Sequence, residues 1–289
     1  MKNSKFKIQN SKLLPYYFFT IFALLYVGSA THAENNFPQR IISLGPSLTR
    51  ELYLLGVEDR LVGNTLYCRQ PPEAQKKEKV GTVTKANLEK VMILRPDLVL
   101  ASSLTNSEQV EKLKNLGIRV ITFSTAGSFS QICDQFLELG RIVGKEKEAE
   151  RILSQARKKV ESINERVKGL PNPKVFVQVG AKPLFTVTSD SFVNEFIKFA
   201  GGINIASGAK IGLYSREKVL EQNPDVIIIV TMGIVGEEEK KIWQKYKTLN
   251  AAKNGRIYII DSYKVCSPTP VSFVEVLEEI VGLIHAKDE

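Results

Sequence analysis

Residues 87–100 read Asn-Leu-Glu-Lys-Val-Met-Ile-Leu-Arg-Pro-Asp-Leu-Val-Leu, and residues 215–228 read Ser-Arg-Glu-Lys-Val-Leu-Glu-Gln-Asn-Pro-Asp-Val-Ile-Ile. Each stretch opens on a capping residue, Asn87 or Ser215, whose side-chain oxygen can accept an amide of the first helical turn. A glutamate follows, Glu89 or Glu217, where the helix macrodipole favours negative charge. Seven positions after the glutamate, Pro96-Asp97 or Pro224-Asp225 ends the helix and launches an apolar strand. One such unit is simply a well-made helix start. The same unit at the same spacing, once in each half of the chain, points to a pseudo-twofold architecture that offers one glutamate per half to a twofold partner.

Working outward, Ile41 to Leu44 reads as a buried strand, and Gly45-Pro46-Ser47 turns the chain into a helix with Leu48, Leu52 and Leu55 on its apolar face. The same grammar continues: helix Leu88 to Leu94, strand Leu98 to Ala101, helix Asn106 to Leu116, strand Arg119 to Phe123, helix Ser128 to Val143. Between Lys145 and Lys168, apolar residues recur at helical spacing, predicting a helix of about 23 residues, roughly 35 Å long, that serves as a strut. Strands Val175 to Val179, Val226 to Val230 and Ile257 to Ile260 then alternate with helices Phe192 to Phe199, Glu237 to Tyr246 and Val271 to His285. The fold class expected is α/β, with an N-terminal lobe over 38–144, a connecting helix over 145–170 and a C-terminal lobe over 171–289.

The first 33 residues stand apart. Lys2, Lys5, Lys7 and Lys12 precede an apolar run from Leu13 to Val27, and small residues lead to Ala33, which reads as an export signal cut after Ala33. The run is shorter than the roughly 20 residues a membrane-spanning helix needs, and no cysteine follows the cut to carry a lipid, so a free periplasmic protein is expected. The full chain has a formal charge of +9; losing those four lysines leaves about +5, too mild and dispersed for nucleic-acid binding. Three cysteines, Cys68, Cys133 and Cys266, exclude a disulfide scaffold, with one bridge still open. There is no nucleophile elbow, dinucleotide loop or redox pair, and the mature chain keeps only His285, so neither catalysis nor a bare-metal site is expected.

Taken in order, Arg40 to Thr49, Leu61-Val62-Gly63, Tyr67-Cys68, Pro71 to Ala74, Lys79-Val80-Gly81, Asn87-Leu88-Glu89, Pro96 to Val99 and Ser215-Arg216-Glu217 resemble the helical-backbone periplasmic binding proteins. Those proteins serve ABC importers of cobalamin, haem and ferric siderophores. The resemblance implies two lobes with central, mostly parallel sheets flanked by helices, one long backbone helix, and a ligand cleft between the lobes. It implies that Glu89 and Glu217 meet the permease dimer, that the receptor is a monomer, and that there is no resident cofactor, the transported ligand itself carrying a metal chelate.

Position in that family puts Tyr67, Cys68, Arg69 and Gln70 at the first-lobe rim of the cleft with Thr84 and Lys85 next to them, and Tyr263, Lys264 and Cys266 opposite; Tyr214, close in sequence to Glu217, is expected to join them from the second lobe. Tyr67 matches an aromatic position of the cobalamin-binding members, while Val83, Ser102 and Ser262 stand where those members carry tryptophan. Arg69, Lys85 and Lys264 could pair with an anionic chelate, and the tyrosines offer flat apolar faces with a polar tip. Cys68 and Cys266 fall on opposite cleft loops, open to bridging, to a soft metal, or to neither. A receptor for a non-chelate organic solute and a non-transport interaction module remain as alternatives.

Overall fold

The computed structural model describes Met1, residues 37–231 and residues 236–286. The export signal read over residues 1–33 lies, past Met1, outside the described residues. Its first half runs β1 (Ile41–Ser43), α1 (Pro46–Leu54), β2 (Leu61–Asn64), β3 (Glu78–Lys79), α2 (Leu88–Leu94), β4 (Leu98–Ser102), α3 (Ser107–Asn115), β5 (Val120–Phe123) and α4 (Phe129–Ile142). The strands pair in the order β3-β2-β1-β4-β5, every pair parallel. Ile41, Ile42, Leu98, Val99 and Leu100 are fully buried, as a sheet covered on both faces requires.

The long helix α5 (Glu146–Val167) follows, and at 22 residues it is about 33 Å long. After it come β6 (Lys174–Ala181), β7 (Leu184–Thr186), α6 (Phe192–Phe199), β8 (Ile203–Asn204), α7 (Arg216–Gln222), β9 (Val226–Val230), α8 (Gly236–Gln244), α9 (Asn250–Lys253), β10 (Ile257–Ile260), α10 (Ser262–Val265) and α11 (Pro270–Ile284). The second sheet has the order β10-β9-β6-β7, with β8 also on β6; only β6 and β7 pair antiparallel.

The two echoed stretches build the same piece of each sheet. Asn87 Oδ1 accepts from the Lys90 amide at 3.0 Å, and Ser215 Oγ from the Lys218 amide at 3.2 Å. Both helices end on a left-handed residue, Arg95 at φ 46° and Asn223 at φ 47°. The following aspartates then tie down the neighbouring strand: Asp97 accepts the Gln39 and Arg40 amides at 2.6 and 3.0 Å, and Asp225 accepts the Lys174 amide at 2.9 Å.

Helix α5 lays Ala149, Ile152, Leu153, Ala156, Val160, Ile163 and Val167 onto α4 and α11. The apolar cluster so formed is continuous. It runs from Ile41 and Leu98 in the first sheet, through Phe136 and Ile152, to Phe273 and on to Val177 and Ile228 in the second. Among the described residues, no helix is long and apolar enough to cross a membrane.

Candidate functional site

In an open parallel sheet the strands' carboxyl ends face a common crevice, and ligands bind there where the strand order reverses. In the first sheet that reversal falls between β1 and β4. A cavity of about 610 Å³ opens at this place, lined by the residues that leave the strands: Gly45 to Leu48 after β1, Tyr67 after β2, Thr82 to Thr84 after β3, Ser102 to Leu104 around the end of β4, and Phe123 to Ala126 at the end of β5. Ser262, Tyr263 and Cys266 to Pro268, which follow β10, together with Phe192 of α6, close it from the second half. Its volume is in the range of small-molecule sites.

Hydroxyls dominate the polar lining, and much of the wall is already ordered. Ser103 Oγ and Thr125 Oγ1 lie 2.9 Å apart, and Gln135 donates to the Ser124 carbonyl and hydroxyl at 3.0 and 3.1 Å. The two halves are also tied together by hydrogen bonds. At the rim, the Tyr263 hydroxyl accepts the backbone amides of Arg69 and Gln70, each at 3.1 Å. The Glu195 carboxylate of the second half accepts the Phe129 amide at the start of α4, where helix amides otherwise lack partners.

Among the described residues, no lysine, arginine, histidine or aspartate lines the cavity, and Glu51 is the one side chain there that is an acid or base of ordinary strength. It is only 5% exposed, and burial pushes its carboxyl up to about 8, the Arg50 guanidinium opposing that in part. A carboxyl with such a value is mostly protonated at neutral pH.

Comparison with known proteins decides the family. The model of the family described as periplasmic binding protein matches residues 41–264. The chain belongs to the periplasmic binding protein family. It is 32% identical to the uncharacterized ABC transporter substrate-binding lipoprotein YvrC of Bacillus subtilis over 258 residues, covering 86% of this chain and 80% of that protein. It is 33% identical to the vitamin B12-binding protein of Salmonella choleraesuis over 201 residues, 68% of this chain and 74% of the other. Among solved structures, a possible iron-binding periplasmic solute-binding protein of Staphylococcus epidermidis superposes with a TM-score of 0.78 at 28% identity, covering 86% of this chain and 99% of its own. As a family member, the protein is a substrate-binding component of transport, with the two-lobed α/β fold expected from the sequence.

Of the cleft residues expected from the sequence, Tyr67, Thr84 and Tyr263 line the cavity, as does Cys266. Val83, Ser102 and Ser262, the positions that tryptophans occupy in cobalamin-binding members, line it too. The others lie elsewhere. Cys68 is fully buried and outside the cavity lining, its Sγ 3.1 and 3.2 Å from the hydroxyls of Thr49 and Thr65, and it forms no disulfide with Cys266. Arg69 gives its backbone amide to the Tyr263 hydroxyl and is not in the cavity lining. Lys85 lines an adjoining surface recess with Glu108 and Lys112, which shares Thr84 and Leu104 with the cavity, and Lys264 pairs with Glu279 at 2.9 Å. Tyr214 packs on Phe176 in the core of the second sheet, its ring under the Lys218 ammonium. None of the three basic side chains, Arg69, Lys85 and Lys264, is in the cavity lining.

Glu89 and Glu217 each sit exposed in the first turn of their helices, α2 and α7. Hydrogen bonds from its own backbone amide and from Ser215 lower the Glu217 carboxyl below the usual range, so it is charged at any physiological pH. Behind it, Arg216 pairs with Glu239 at 2.5 Å and lies 4.6 Å over the Trp243 ring, while Gln178 bridges Glu239 and the indole N–H at 2.8 and 2.6 Å. That network pins α7 to the second sheet and fixes where Glu217 projects.

Proposed function

We propose that this protein is a periplasmic receptor that captures a neutral or cationic metal chelate, best matched by a corrinoid such as cobinamide or cobalamin, and delivers it to an ABC permease dimer. The observation that carries this reading is the charge of the cleft lining: hydroxyls, tyrosines and one buried acid, with no basic side chain among the described residues. Haem, with two propionates, and tris-catecholate iron chelates bring negative charge that such a wall leaves uncompensated. Corrinoids carry carboxamides on their periphery and suit it. The vitamin B12-binding relative supports the same class.

Export with cleavage after Ala33, a monomeric state, a first lobe over 38–144, the connecting helix over 145–170 and a second lobe over 171–289 complete the proposal, together with docking of the permease through Glu89 and Glu217. No resident cofactor and no chemistry on the ligand are part of it. The exposed, paired placement of the two glutamates supports docking, since charges outside the cleft steer and orient a partner. Native mass spectrometry with cobinamide, cyanocobalamin, ferrioxamine, haem and ferric enterobactin tests the ligand class. A stoichiometric complex with a corrinoid is expected; binding confined to haem or ferric enterobactin refutes the charge argument.

A further inference from the structure

We propose that Glu51 is the specificity-determining residue of this cleft and reads a carboxamide of the ligand, its carboxyl O–H donating to the amide carbonyl oxygen and its carbonyl oxygen accepting an amide N–H. The inference rests on the proposed corrinoid class and names the group within it that the protein recognises.

Glu51 lies in the second turn of α1 and lines the cavity with only 5% of its surface exposed. Its carboxyl has no hydrogen-bond or ion-pair partner among the described residues. Neither oxygen belongs to the partnerless atoms sealed inside the protein, which among the described residues are Glu58 Oε2, Arg216 Nη1 and Arg256 Nε. The oxygens of Glu51 therefore reach the cavity, and their complement must come from what fills it. A buried polar group left without one is costly, so a ligand that supplies both halves of the pair is selected over one that supplies neither.

Burial also sets which form of the group is presented. With its carboxyl pushed up to about 8, Glu51 holds its proton at neutral pH and can donate and accept at once. A primary carboxamide is the reciprocal partner, closing a ring of two parallel hydrogen bonds. A ligand carboxylate would find only a single donor and, once Glu51 ionises, repulsion. Other groups that face the same space and can change charge are Tyr67, Tyr263 and Cys266, and Arg50 stands beside Glu51 with its guanidinium 3.5 Å from the Ser267 carbonyl. Burial raises the Cys266 thiol to about 11, so it stays neutral over the range in which Glu51 titrates.

The test is calorimetric titration of the mature protein with dicyanocobinamide from pH 6 to 9.5, using wild type, Glu51→Gln and Glu51→Leu. Wild-type affinity is expected to be level below pH 7 and to fall about tenfold by pH 9, as the donor is lost. Glu51→Gln keeps a donor and an acceptor without a titrating proton, and its profile is expected to be flat. Glu51→Leu is expected to bind at least about tenfold more weakly at pH 6.5. A wild-type profile retained in Glu51→Gln assigns the titration to the tyrosines or the thiol and overturns the inference. Undiminished binding by Glu51→Leu overturns it too, and in both cases the corrinoid reading stands. Absence of cobinamide binding by wild type at every pH overturns the ligand class and the carboxamide pairing together.

Discussion

Replacing Glu51 by glutamine should stabilise the ligand-free protein, by an amount that depends on pH. In the unfolded chain a glutamate titrates near 4.5, whereas burial raises Glu51 to about 8 in the folded state. Between those values the native state binds a proton that the unfolded state has released, so wild-type stability falls by about 1.4 kcal/mol per pH unit. The benefit of the raised value is thus whole below pH 4.5 and gone above pH 8. At pH 7 about 2.5 units of that slope have been traversed, a loss on the order of 3 kcal/mol that glutamine, of the same shape, does not suffer. Urea denaturation at pH 5, 7 and 8.5 measures it: the two proteins should nearly coincide at pH 5 and diverge by about 3 kcal/mol at pH 7, roughly 6 to 12 °C in Tm. A constant difference across the three pH values, or none, refutes the argument from burial. A residue that costs stability yet sits in the binding cleft fits the usual trade between stability and function.

Other expectations follow from the same geometry. Reversing charge at both Glu89 and Glu217 should leave ligand affinity unchanged and abolish uptake in cells, because both side chains are exposed away from the cavity; normal uptake by the double variant refutes docking. Alanine at Tyr67 or Tyr263 should weaken ligand binding by about 1 to 3 kcal/mol through loss of an aromatic face, and calorimetric affinities unchanged at both positions would overturn the cavity assignment. Trp243→Ala should destabilise by roughly 3 to 5 kcal/mol, since the indole is fully buried and bonded to Gln178; chemical denaturation followed by circular dichroism checks it. Asn87→Ala and Ser215→Ala should each cost about 1 kcal/mol by removing a helix cap, read from shifts in the urea midpoint.

The principal strands and helices were legible because each carries its own side-chain signature. Val226–Val230, Ile257–Ile260, Leu88–Leu94 and Phe192–Phe199 form over the residues expected from the pattern, and the long helix differs by one residue at each end. Glu78–Lys79 and Ile203–Asn204 carried no such signature: two-residue strands recruited by backbone pairing have no room for periodicity. The cleft was half legible. Tyr67 and Tyr263 came from family position, whereas Ser103 and Ser124 to Ala126 line the cavity simply because they follow parallel strands, a rule that needs the strand order before it can be applied. Tyr214 was drawn toward the cleft by its nearness in sequence to Glu217, but Phe176 offers it an apolar surface in the core. Glu51 was not among the residues singled out from the sequence. The signal was there, since residues 48, 51, 52 and 55 follow helical spacing, which puts the glutamate inside the apolar stripe.

The apolar cluster that α5 carries from one sheet to the other bears on how long the ligand stays. A receptor whose lobes hinge apart can trap cargo by shutting and free it by opening, and its residence time is then set by the hinge. Here any separation of the lobes would have to pull α5 off α4 or off α11, exposing packed hydrocarbon to water. The dwell time must accordingly reside in the contacts of the cleft wall themselves. Unloading then falls to the partner, which must supply from outside the work that a looser receptor would draw from its own flexing.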